Sequence, residues 1–549
     1  MTRVVLHLYE LAAYLDLRRQ RRRGPGLSYT PGMADLEPVD DGSLRLAGVL
    51  LHPTSLPGTW PGGDFGPEVD VFLDWVEEAG FGLWQVLPLG PSSAGNSPYS
   101  SLSSFALDPY LISPERLAAA GLLDDSEVEQ AATASVGGRN GDERGRCDFE
   151  AVHRHKAPLL RAAWRRFRSL PPKGVSRAFD AFRTHPDRRT WLEDWCLFAA
   201  LRAHYQGTGW WTWDRSLAHR EPGALATART DLADAVEYEA FLQFCAYEQW
   251  NMVRAAASGR GIQILGDLPI YLAHDSAEVW AHRDLFELDE SGQPLAVAGV
   301  PPDYYCEDGQ LWGNPLFRWQ RLAEEDYRFW VQRVRGQMGL FDLIRLDHFR
   351  AFADYWRVPS CAETARDGMW EVGPGRALFD ALGDNLGTPL PLIAEDLGVV
   401  GEEVHELRRA VSLPSMRVLQ FGFDVPETIH APHHLEADAF VYTGTHDNDT
   451  LVGWLGGLSD DVRARLADYT GGRAETLHRD LVRTALTSVA RGAVVPMQDV
   501  LGLGSEARMN MPGTATGNWT WRLETLPNGD EAAWLRRLAE LSDRLPKAR

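Results

Sequence analysis

The sequence predicts a (β/α)8 barrel, and two observations support that prediction. Buried parallel strands read as short, nearly continuous apolar runs bounded by Gly, Pro or polar turns, and the 549-residue chain contains eight such runs. Eight is the number of strands that this barrel requires. The runs span residues 47–56, 83–89, 262–271, 341–349, 390–397, 416–423, 440–445 and 493–501.

Helical patterns precede most of these runs and supply the second observation. Before the second run, apolar residues are spaced so that they form one stripe on a helix, namely Val71, Phe72, Trp75, Val76 and Ala79. A doubly wound open sheet would show similar strand and helix units. Patterning alone therefore leaves that fold open as an alternative.

The chain is longer than a bare barrel of about 250 residues, so the barrel must carry insertions. We predict a mostly helical insertion at about 110–258, with helix-like patterns at 191–204 and 238–256, and a loop-rich insertion rich in Pro, Gly and aromatics at about 272–320. Only residues 502–549 follow the eighth run, which is too short for a C-terminal β-sandwich.

The domain prediction is therefore one catalytic barrel at 44–549, preceded by a poorly ordered N-terminal extension at 1–43. Residues 1–32 are either dispensable, even untranslated before Met33, or form a short amphipathic helix that caps the barrel. The sequence does not predict an oligomeric state.

Charge and cysteine usage exclude several classes of partner. A formal net charge of −22 argues against nucleic acid, which is bound by basic surfaces. No apolar run reaches the 18 residues that a membrane span needs, and the N-terminal charges follow the apolar stretch, unlike in a signal peptide. The five cysteines are scattered without a CxxC pair. We therefore expect a cytoplasmic protein.

Three acidic motifs close predicted strands, at the barrel end where active sites lie. Arg345 and Asp347 project to the same side of the fourth strand, so the guanidinium favours the ionised carboxylate of a nucleophile or electrostatic stabiliser. Glu395 follows apolar residues and has no basic neighbour in the immediate sequence, which suits a general acid with a raised pKa. Asp396 is the competing candidate, and either acid could instead cap a helix.

Asp447 is the third acid, and His446 and Asn448 flank it. His and Asp together can ligate zinc or calcium, so a metal site is the rival interpretation. His348 and His446 lie on different runs, however, without HxH or HExxH spacing. Paired carboxylates with a third acid fit glycosidic-bond chemistry better.

Aromatic residues suggest a sugar ligand, because pyranose faces stack on aromatic rings. The chain has twenty Trp, and the cluster Trp210, Trp211 and Trp213 could be either core or binding surface. A turn-rich stretch after the second run places Tyr99 at the barrel mouth. By the same logic, residues after the third run lie near the mouth, namely Asp267, Tyr271, Asp275 and Trp280.

With these acidic motifs and several further stretches, the chain resembles amylomaltase, the 4-α-glucanotransferase or disproportionating enzyme family of the α-amylase-type clan. The resemblance begins at His52-Pro53-Thr54-Ser55-Leu56-Pro57-Gly58 and ends at Gly517-Asn518-Trp519. Its most specific stretches are Gly266-Asp267-Leu268-Pro269-Ile270-Tyr271, Gly299-Val300-Pro301-Pro302-Asp303-Tyr304, Gly309-Gln310-Leu311-Trp312-Gly313-Asn314-Pro315, and Gln498-Asp499-Val500-Leu501-Gly502-Leu503-Gly504.

The resemblance implies a retaining double displacement on α-1,4-glucan, with neither cofactor nor metal. It assigns Asp347 as nucleophile, Glu395 as general acid/base and Asp447 as the residue that grips sugar hydroxyls in the transition state. It also implies that Arg345 orients Asp347, while the other expected substrate contacts come from Tyr99, His446, His348, Trp312 and Asn314. In this family the loop at about 301–314, with Tyr304, Tyr305 and Trp312 here, is thought to overhang the cleft and disfavour water.

Two rival functions stay open. A hydrolase of the same clan would carry identical acids and cut α-1,4 bonds with water. A glucan-binding protein without catalysis is the rival from another class, and binding without turnover would be its signature.

Overall fold

The computed structural model describes residues 45–136, 145–302, 307–398, 400–423, 425, 427–473, 475–514 and 516–546. The predicted extension at 1–43 lies outside these residues. Twelve strands are found among the described residues: β1 (Leu46–Leu50), β2 (Leu83–Gln85), β3 (Gln263–Leu268), β4 (Ala296–Val300), β5 (Gln310–Pro315), β6 (Leu343–Leu346), β7 (Asp354–Pro359), β8 (Met369–Val372), β9 (Leu392–Ala394), β10 (Ser415–Val418), β11 (Ala439–Tyr442) and β12 (Gly492–Pro496).

Eight of these strands close into a parallel barrel in the order β1-β12-β11-β10-β9-β6-β3-β2. Closure is made by β1, which pairs with β2 through Gly48 and Leu83 and with β12 through Leu46 and Gly492. Each predicted apolar run overlaps one of these strands, with boundaries that agree within one residue at the start of β1, β10, β11 and β12, so the prediction of a (β/α)8 barrel is confirmed. The alternative of an open doubly wound sheet is excluded, because an open sheet would not pair its first strand with its last.

Burial and close approach explain why these segments form the barrel. All five residues of β1 are buried, as expected for a parallel strand covered on both faces. At Gly48 a Cβ atom would lie only 2.7 Å from the Cβ of Leu83, so glycine is needed where β1 meets β2.

The helices of the described residues are α1 (Pro67–Glu78), α2 (Pro114–Ala119), α3 (Asp125–Val136), α4 (Phe149–Ser169), α5 (Val175–Thr184), α6 (Pro186–Arg189), α7 (Leu192–His204), α8 (Arg215–Ala218), α9 (Pro222–Asp231), α10 (Ala233–Ser258), α11 (Ala277–Ala281), α12 (Trp319–Glu324), α13 (Arg328–Met338), α14 (Arg376–Leu386), α15 (Glu402–Ala410), α16 (Leu451–Gly457), α17 (Asp460–Thr470), α18 (Leu477–Thr487), α19 (Met497–Leu501) and α20 (Gly529–Leu541). None of them is long and apolar enough to cross a membrane.

The apolar stripe of α1 differs in part from the predicted one. Phe72, Trp75 and Val76 are buried as predicted, but Val71 is exposed. The helix instead buries Val69 and Leu73, which lie closer to the core-facing side at 3.6 residues per turn.

Helices α2 to α10 lie between β2 and β3, and the long helix α10 ties this region to the barrel. The side-chain amide of Gln243 donates to the Leu107 carbonyl and accepts from the Leu107 N–H, at 2.9 Å each. Gln249 pairs in the same way with the backbone of Ser113, at 2.7 and 3.1 Å. Buried amide pairs of this kind hold the helix in one register against the loop that follows β2.

A second, antiparallel sheet has the strand order β5-β4-β7-β8. Strands β4 and β5 fall inside the segment predicted to be loop-rich, so that description is wrong for residues 296–300 and 310–315. Strand β4 pairs with β5 on one side and, on the other, with β7, which comes from a different part of the chain, after β6. Alternation was not visible there because β4 has a bulge between Val297 and Gly299, and because its pairing is non-local.

Candidate active site

The three acids lie just after barrel strands, at the carboxyl end of the barrel. Asp347 follows β6, and Glu395 follows β9, the next strand around the barrel. Leu346 and Ala394 are direct register partners, so the two following carboxylates are neighbours. Asp447 lies in the loop between β11 and α16.

Arg345 connects these acids from inside the barrel, and its side chain is almost completely buried. Its Nη1 lies 2.8 Å from Asp347 Oδ1, which confirms the prediction that both side chains project to the same side of β6. Arg345 is also the register partner of Asp267 on β3, and Nη1 donates to both oxygens of that carboxylate at 2.9 and 2.8 Å. Asp267 therefore fixes the guanidinium that holds Asp347.

Glu395 is held mainly by backbone donors. The His348 N–H donates to Oε2 at 2.7 Å, and the Leu397 N–H donates to Oε1 at 3.1 Å. Burial raises the pKa of Glu395 to about 8, the positive charge of Arg345 opposes this shift, and the negative charge of Asp347 adds to it. The direction agrees with the sequence expectation for a general acid, although Arg345 Nη2 approaches to 3.8 Å and was not visible as a neighbour in the sequence.

Asp396, the competing acid, lies in a buried ion cluster. Its Oδ1 is 3.0 Å from Arg417 Nη1 and accepts from the Met416 N–H at 2.9 Å, while its Oδ2 is 3.3 Å from Arg408 Nε and 3.5 Å from His405 Nδ1. Burial alone would raise the pKa of Asp396, but the hydrogen bond from His405 and the charge of Arg417 lower it overall. Its side chain is fully buried, so only Glu395 of this pair is accessible to a ligand.

Asp447 is more accessible, with 45% of its side chain exposed. Asn510 Nδ2 donates to Asp447 Oδ1 at 2.6 Å, and Arg508 Nη2 donates to the Asp447 carbonyl at 2.6 Å. The Asn510 N–H also donates to the His446 carbonyl at 3.1 Å. Sequence reasoning missed Asn510 and Arg508, because nothing near them indicates that their loop folds onto an acid about sixty residues earlier.

Tyr99 and His446 form an aromatic pair beside Asp267. The Tyr99 hydroxyl donates to Asp267 Oδ2 at 2.8 Å, and the Tyr99 ring stacks on the His446 ring with centroids 4.9 Å apart. His446 Nε2 lies 3.4 Å from Asp447 Oδ2. Hydrogen bonds and ring contacts therefore run continuously from Asp347 through Arg345, Asp267, Tyr99 and His446 to Asp447.

The small sheet also contributes residues to the site. The Trp312 ring meets the His348 ring edge to face, with centroids 4.9 Å apart, and lies 6.3 Å from the ring of Tyr271. Burial lowers the pKa of His348 to about 4, although Asp347 opposes the shift. Asn314 Nδ2 donates to the Leu272 carbonyl at 2.9 Å, which anchors β5 to the segment after β3. The predicted loop residues Tyr304 and Tyr305 lie outside the described residues.

Two predicted binding residues do not join this site. The prediction for Trp280 is wrong, because its side chain is fully buried and its indole N–H donates to the Leu217 carbonyl at 3.0 Å. Asp275 is not brought to the three acids either, since its Oδ2 accepts from Arg202 Nε at 2.9 Å and no contact within the described residues joins it to them, so its role in binding stays a prediction. The physical reason is that the chain turns into α11 after Tyr271 and packs on helix α7.

The tryptophan cluster that the sequence left undecided is mostly core. Trp210 and Trp213 are buried, and the Trp210 indole N–H donates to the His274 carbonyl at 2.7 Å. Trp211 is half-buried and stacks on the His274 ring with centroids 3.9 Å apart.

The described part of the chain contains no group of three or more His, Cys, Asp or Glu side chains arranged so that it could hold a metal ion.

The fold and the site together define a class of protein: parallel-barrel enzymes whose acids stand at the carboxyl ends of the strands. Within that class, a family model described as 4-alpha-glucanotransferase matches residues 51–527. The chain belongs to this family.

Named relatives agree with that assignment. A 4-alpha-glucanotransferase from Thermus thermophilus is 44% identical over 515 residues, which cover 91% of this chain and 99% of the relative. One from Synechocystis sp. is 44% identical over 482 residues, which cover 87% of this chain and 94% of the relative. The solved structure of amylomaltase from Streptococcus agalactiae in complex with acarbose superimposes with a TM-score of 0.86 at 35% identity, covering 91% of this chain and 99% of that one.

Proposed function

We propose that this protein is a 4-α-glucanotransferase that moves segments of α-1,4-glucan between maltooligosaccharides through a covalent glycosyl-enzyme. The observation that carries the proposal is the contrast between two neighbouring carboxylates. Asp347 is ion-paired with Arg345 at 2.8 Å, whereas Glu395 is buried with a pKa of about 8. One acid is therefore kept as an anion and the other keeps a proton at neutral pH, as retaining glycoside chemistry requires.

In the first step, an Asp347 oxygen attacks the anomeric carbon of the donor sugar. Glu395 gives its proton to the glycosidic oxygen as that C–O bond breaks, so the leaving chain departs as a neutral alcohol. The product is a β-linked glycosyl ester on Asp347, and Glu395 is left as a carboxylate.

In the second step, Glu395 takes the proton from the 4-hydroxyl of an acceptor sugar, and the freed oxygen attacks the anomeric carbon. The ester bond to Asp347 breaks, and a new α-1,4 bond replaces the one that was lost. Two inversions at the same carbon retain its configuration. The backbone N–H groups of His348 and Leu397 donate to the Glu395 carboxyl oxygens and hold this group in position in both of its protonation states.

The remaining residues bind and orient the sugar at the cleavage point. Tyr99 offers an aromatic face supported by His446, and Asp447 offers a carboxylate to sugar hydroxyls, with Asn510 holding one of its oxygens. Contacts with hydroxyls that strengthen as the ring flattens would favour the transition state over the bound substrate.

Transfer, as opposed to hydrolysis, needs an acceptor site that disfavours water. Trp312 supplies apolar surface there, because its ring contacts His348, directly after the proposed nucleophile. A sugar stacked on this ring would cover the glycosyl ester while it waits for an acceptor.

The deciding experiment is incubation with pure maltotriose, with chromatography of all products and a separate assay of total reducing ends. Glucose with a ladder of longer oligosaccharides at constant reducing ends would support transfer. Rising reducing ends would make the protein a hydrolase of the same clan, and glucan binding without turnover would make it a binding protein. Asp460→Asn is a suitable control variant, because Asp460 is an exposed acid in α17 that pairs with Arg463 at 2.6 Å.

We also propose a cytoplasmic location, which is supported by cysteine chemistry. Cys196 and Cys245 are buried as free thiols, and Cys361 is an exposed free thiol of the kind that an oxidising compartment would modify. Fractionation of the source cells, followed by detection of the protein in each fraction, tests this location.

A further inference from the structure

Trp370 is an exposed tryptophan that the proposed mechanism does not use. All twenty tryptophans lie in the part of the chain that the structure describes, and only Trp312 and Trp370 are exposed, at 38% and 41%. Large aromatic side chains are usually buried, so an exposed one close to the candidate active site indicates a binding surface. Trp312 already belongs to the candidate active site, which leaves Trp370 to be explained.

Both exposed tryptophans contact the short segment that follows Asp347. Trp312 meets His348, as described above, and the Arg350 guanidinium lies over the Trp370 ring at 3.8 Å from its centroid. Arg350 is itself fixed by Asp354, with Nε 2.9 Å from Oδ1 and Nη2 3.1 Å from Oδ2. Trp370 therefore lies beside the segment that follows Asp347 and contacts it through Arg350.

Trp370 is part of a row across the small sheet. It is the register partner of Trp356 on β7, and the two rings pack edge to face with centroids 5.0 Å apart. The row continues through Gly299 on β4 to Leu311 on β5, which is 44% exposed. Register partners share one face of a sheet, so this face presents two apolar edges with a glycine between them.

A second copy of this chain fits the surface poorly. The exposed apolar residues of β8 are Met369, Trp370 and Val372, and Met369 points to the opposite face because side chains alternate along a strand. A stable protein interface takes roughly 800 Å² on each partner, far more than these side chains offer. The Trp370 ring is 41% exposed and has the Arg350 guanidinium over it, with Asp354 bound to that guanidinium, which instead matches a sugar with an apolar face and a rim of hydroxyls.

We propose that Trp370, with Trp356 and Arg350, forms an accessory binding site for an α-1,4-glucan chain outside the catalytic cleft. The site holds the distal part of a long glucan while the cleft acts on its end. Short substrates do not reach it, so it raises the effective concentration of polymers in particular. This inference rests on the proposed function, because that function supplies the glucan.

The first test compares the activity ratio between substrates. In Trp370→Ala, kcat/KM for amylose divided by kcat/KM for maltotriose should fall about three- to tenfold, the loss of one aromatic contact. Trp370→Phe keeps a ring and should restore most of the ratio, which separates binding from damage to the sheet. Trp534→Ala is the matched control, because Arg479 covers Trp534 in the same manner at 4.9 Å but on helix α20, and this variant should keep the wild-type ratio.

The second test measures binding without turnover. In native gels containing amylopectin, the Asp347→Asn variant should be retarded. The double variant Asp347→Asn with Trp370→Ala should migrate faster. The double variant Asp347→Asn with Trp370→Phe should be retarded again. Equal retardation of all three, or an unchanged activity ratio in Trp370→Ala, would overturn the proposal. So would loss of a dimer in Trp370→Ala, seen by sedimentation without glucan. If wild-type protein fails to disproportionate maltotriose, the proposed function fails, yet the gel still decides whether Trp370 binds glucan.

Discussion

Two sides of the same strand end hold adjacent acids in opposite environments. On the inner side of β9, Glu395 meets backbone N–H groups and one guanidinium at 3.8 Å, and burial raises its pKa to about 8. On the outer side, Asp396 is surrounded by Arg417, Arg408 and His405, and its pKa is lowered. The two residues are both acidic and adjacent in the sequence, so the side chains that surround each one decide the direction of its pKa shift.

An acid that exchanges protons and an acid that keeps its charge need different environments. A general acid must lose and regain its proton at working pH, so it needs burial with only partial compensation. A structural acid must stay ionised, because an unpaired positive charge in the interior is costly. Substitutions at and around these two acids should therefore differ in whether they change chemistry or stability.

Asp347→Asn should have the largest effect, because it removes the proposed nucleophile, which lies next to Glu395 at the barrel mouth. We expect kcat/KM for maltotriose to fall by about 10⁴-fold or more, with little change in melting temperature. Product chromatography and a thermal melt measure both quantities. Transfer at more than a tenth of the wild-type rate would show that another residue attacks the sugar.

Glu395→Gln should lower transfer from maltotriose by about 10²- to 10⁴-fold, the range for loss of a general acid. With α-maltosyl fluoride, whose leaving group needs no proton, the ester on Asp347 should still form and accumulate. Intact-mass analysis detects the ester as an added glycosyl mass. If Glu395→Gln keeps transfer from maltotriose and Asp396→Asn loses it while staying folded, the two acids have been assigned in reverse.

Asp396→Asn should affect stability more than chemistry. Its loss leaves Arg417 and Arg408 poorly compensated in the interior, so the free energy of unfolding should fall by about 3 kcal/mol. Because the pKa of Asp396 is lowered, its stabilisation is complete above the ordinary value of 3.8 and is lost only as the pH falls through the lower folded-state value. Urea denaturation at neutral pH measures the change. Unaltered stability with lost activity would contradict this role.

The pH dependence of the first step should follow Glu395. The protonated acid is the active form, so with a pKa of about 8 the rate of donor cleavage is full below that pH and falls about tenfold per pH unit above it. A single-turnover pH profile with maltotriose gives this limb. The same profile for Glu395→Gln with α-maltosyl fluoride should lack it, and a limb that persists there would belong to another group.

Asn510→Ala should have the smallest effect, because Asn510 acts through Asp447, an acid in a third and more exposed environment. Removing its 2.6 Å hydrogen bond to Oδ1 leaves Asp447 in place but free to rotate. We expect kcat to fall about three- to tenfold while KM changes less, as for an interaction that matters most in the transition state. Asn510→Ser, which keeps a hydroxyl donor near Oδ1, should recover part of kcat. A change in KM alone would mean that Asn510 contacts the substrate directly.

The sequence alone determined the barrel and the positions of its acids. Apolar runs are local features, and parallel strands buried on both faces make them nearly continuous, so all eight barrel strands could be located. Strand alternation also placed Arg345 beside Asp347 correctly, because period two is a property of the backbone.

Which residues share the site depends on contacts between distant parts of the chain. Asp267 holds Arg345 because β3 and β6 are paired in register, and Asn510 reaches Asp447 because a late loop folds back over the barrel mouth. The same level of organisation buried Trp280 and assembled the small sheet from β4, β5, β7 and β8. It also gave Glu395 and Asp396 different surroundings, which raise the pKa of the first and lower the pKa of the second. Burial and charge depend on neighbours that are distant in sequence, and these contacts exist only once the chain has closed into a barrel.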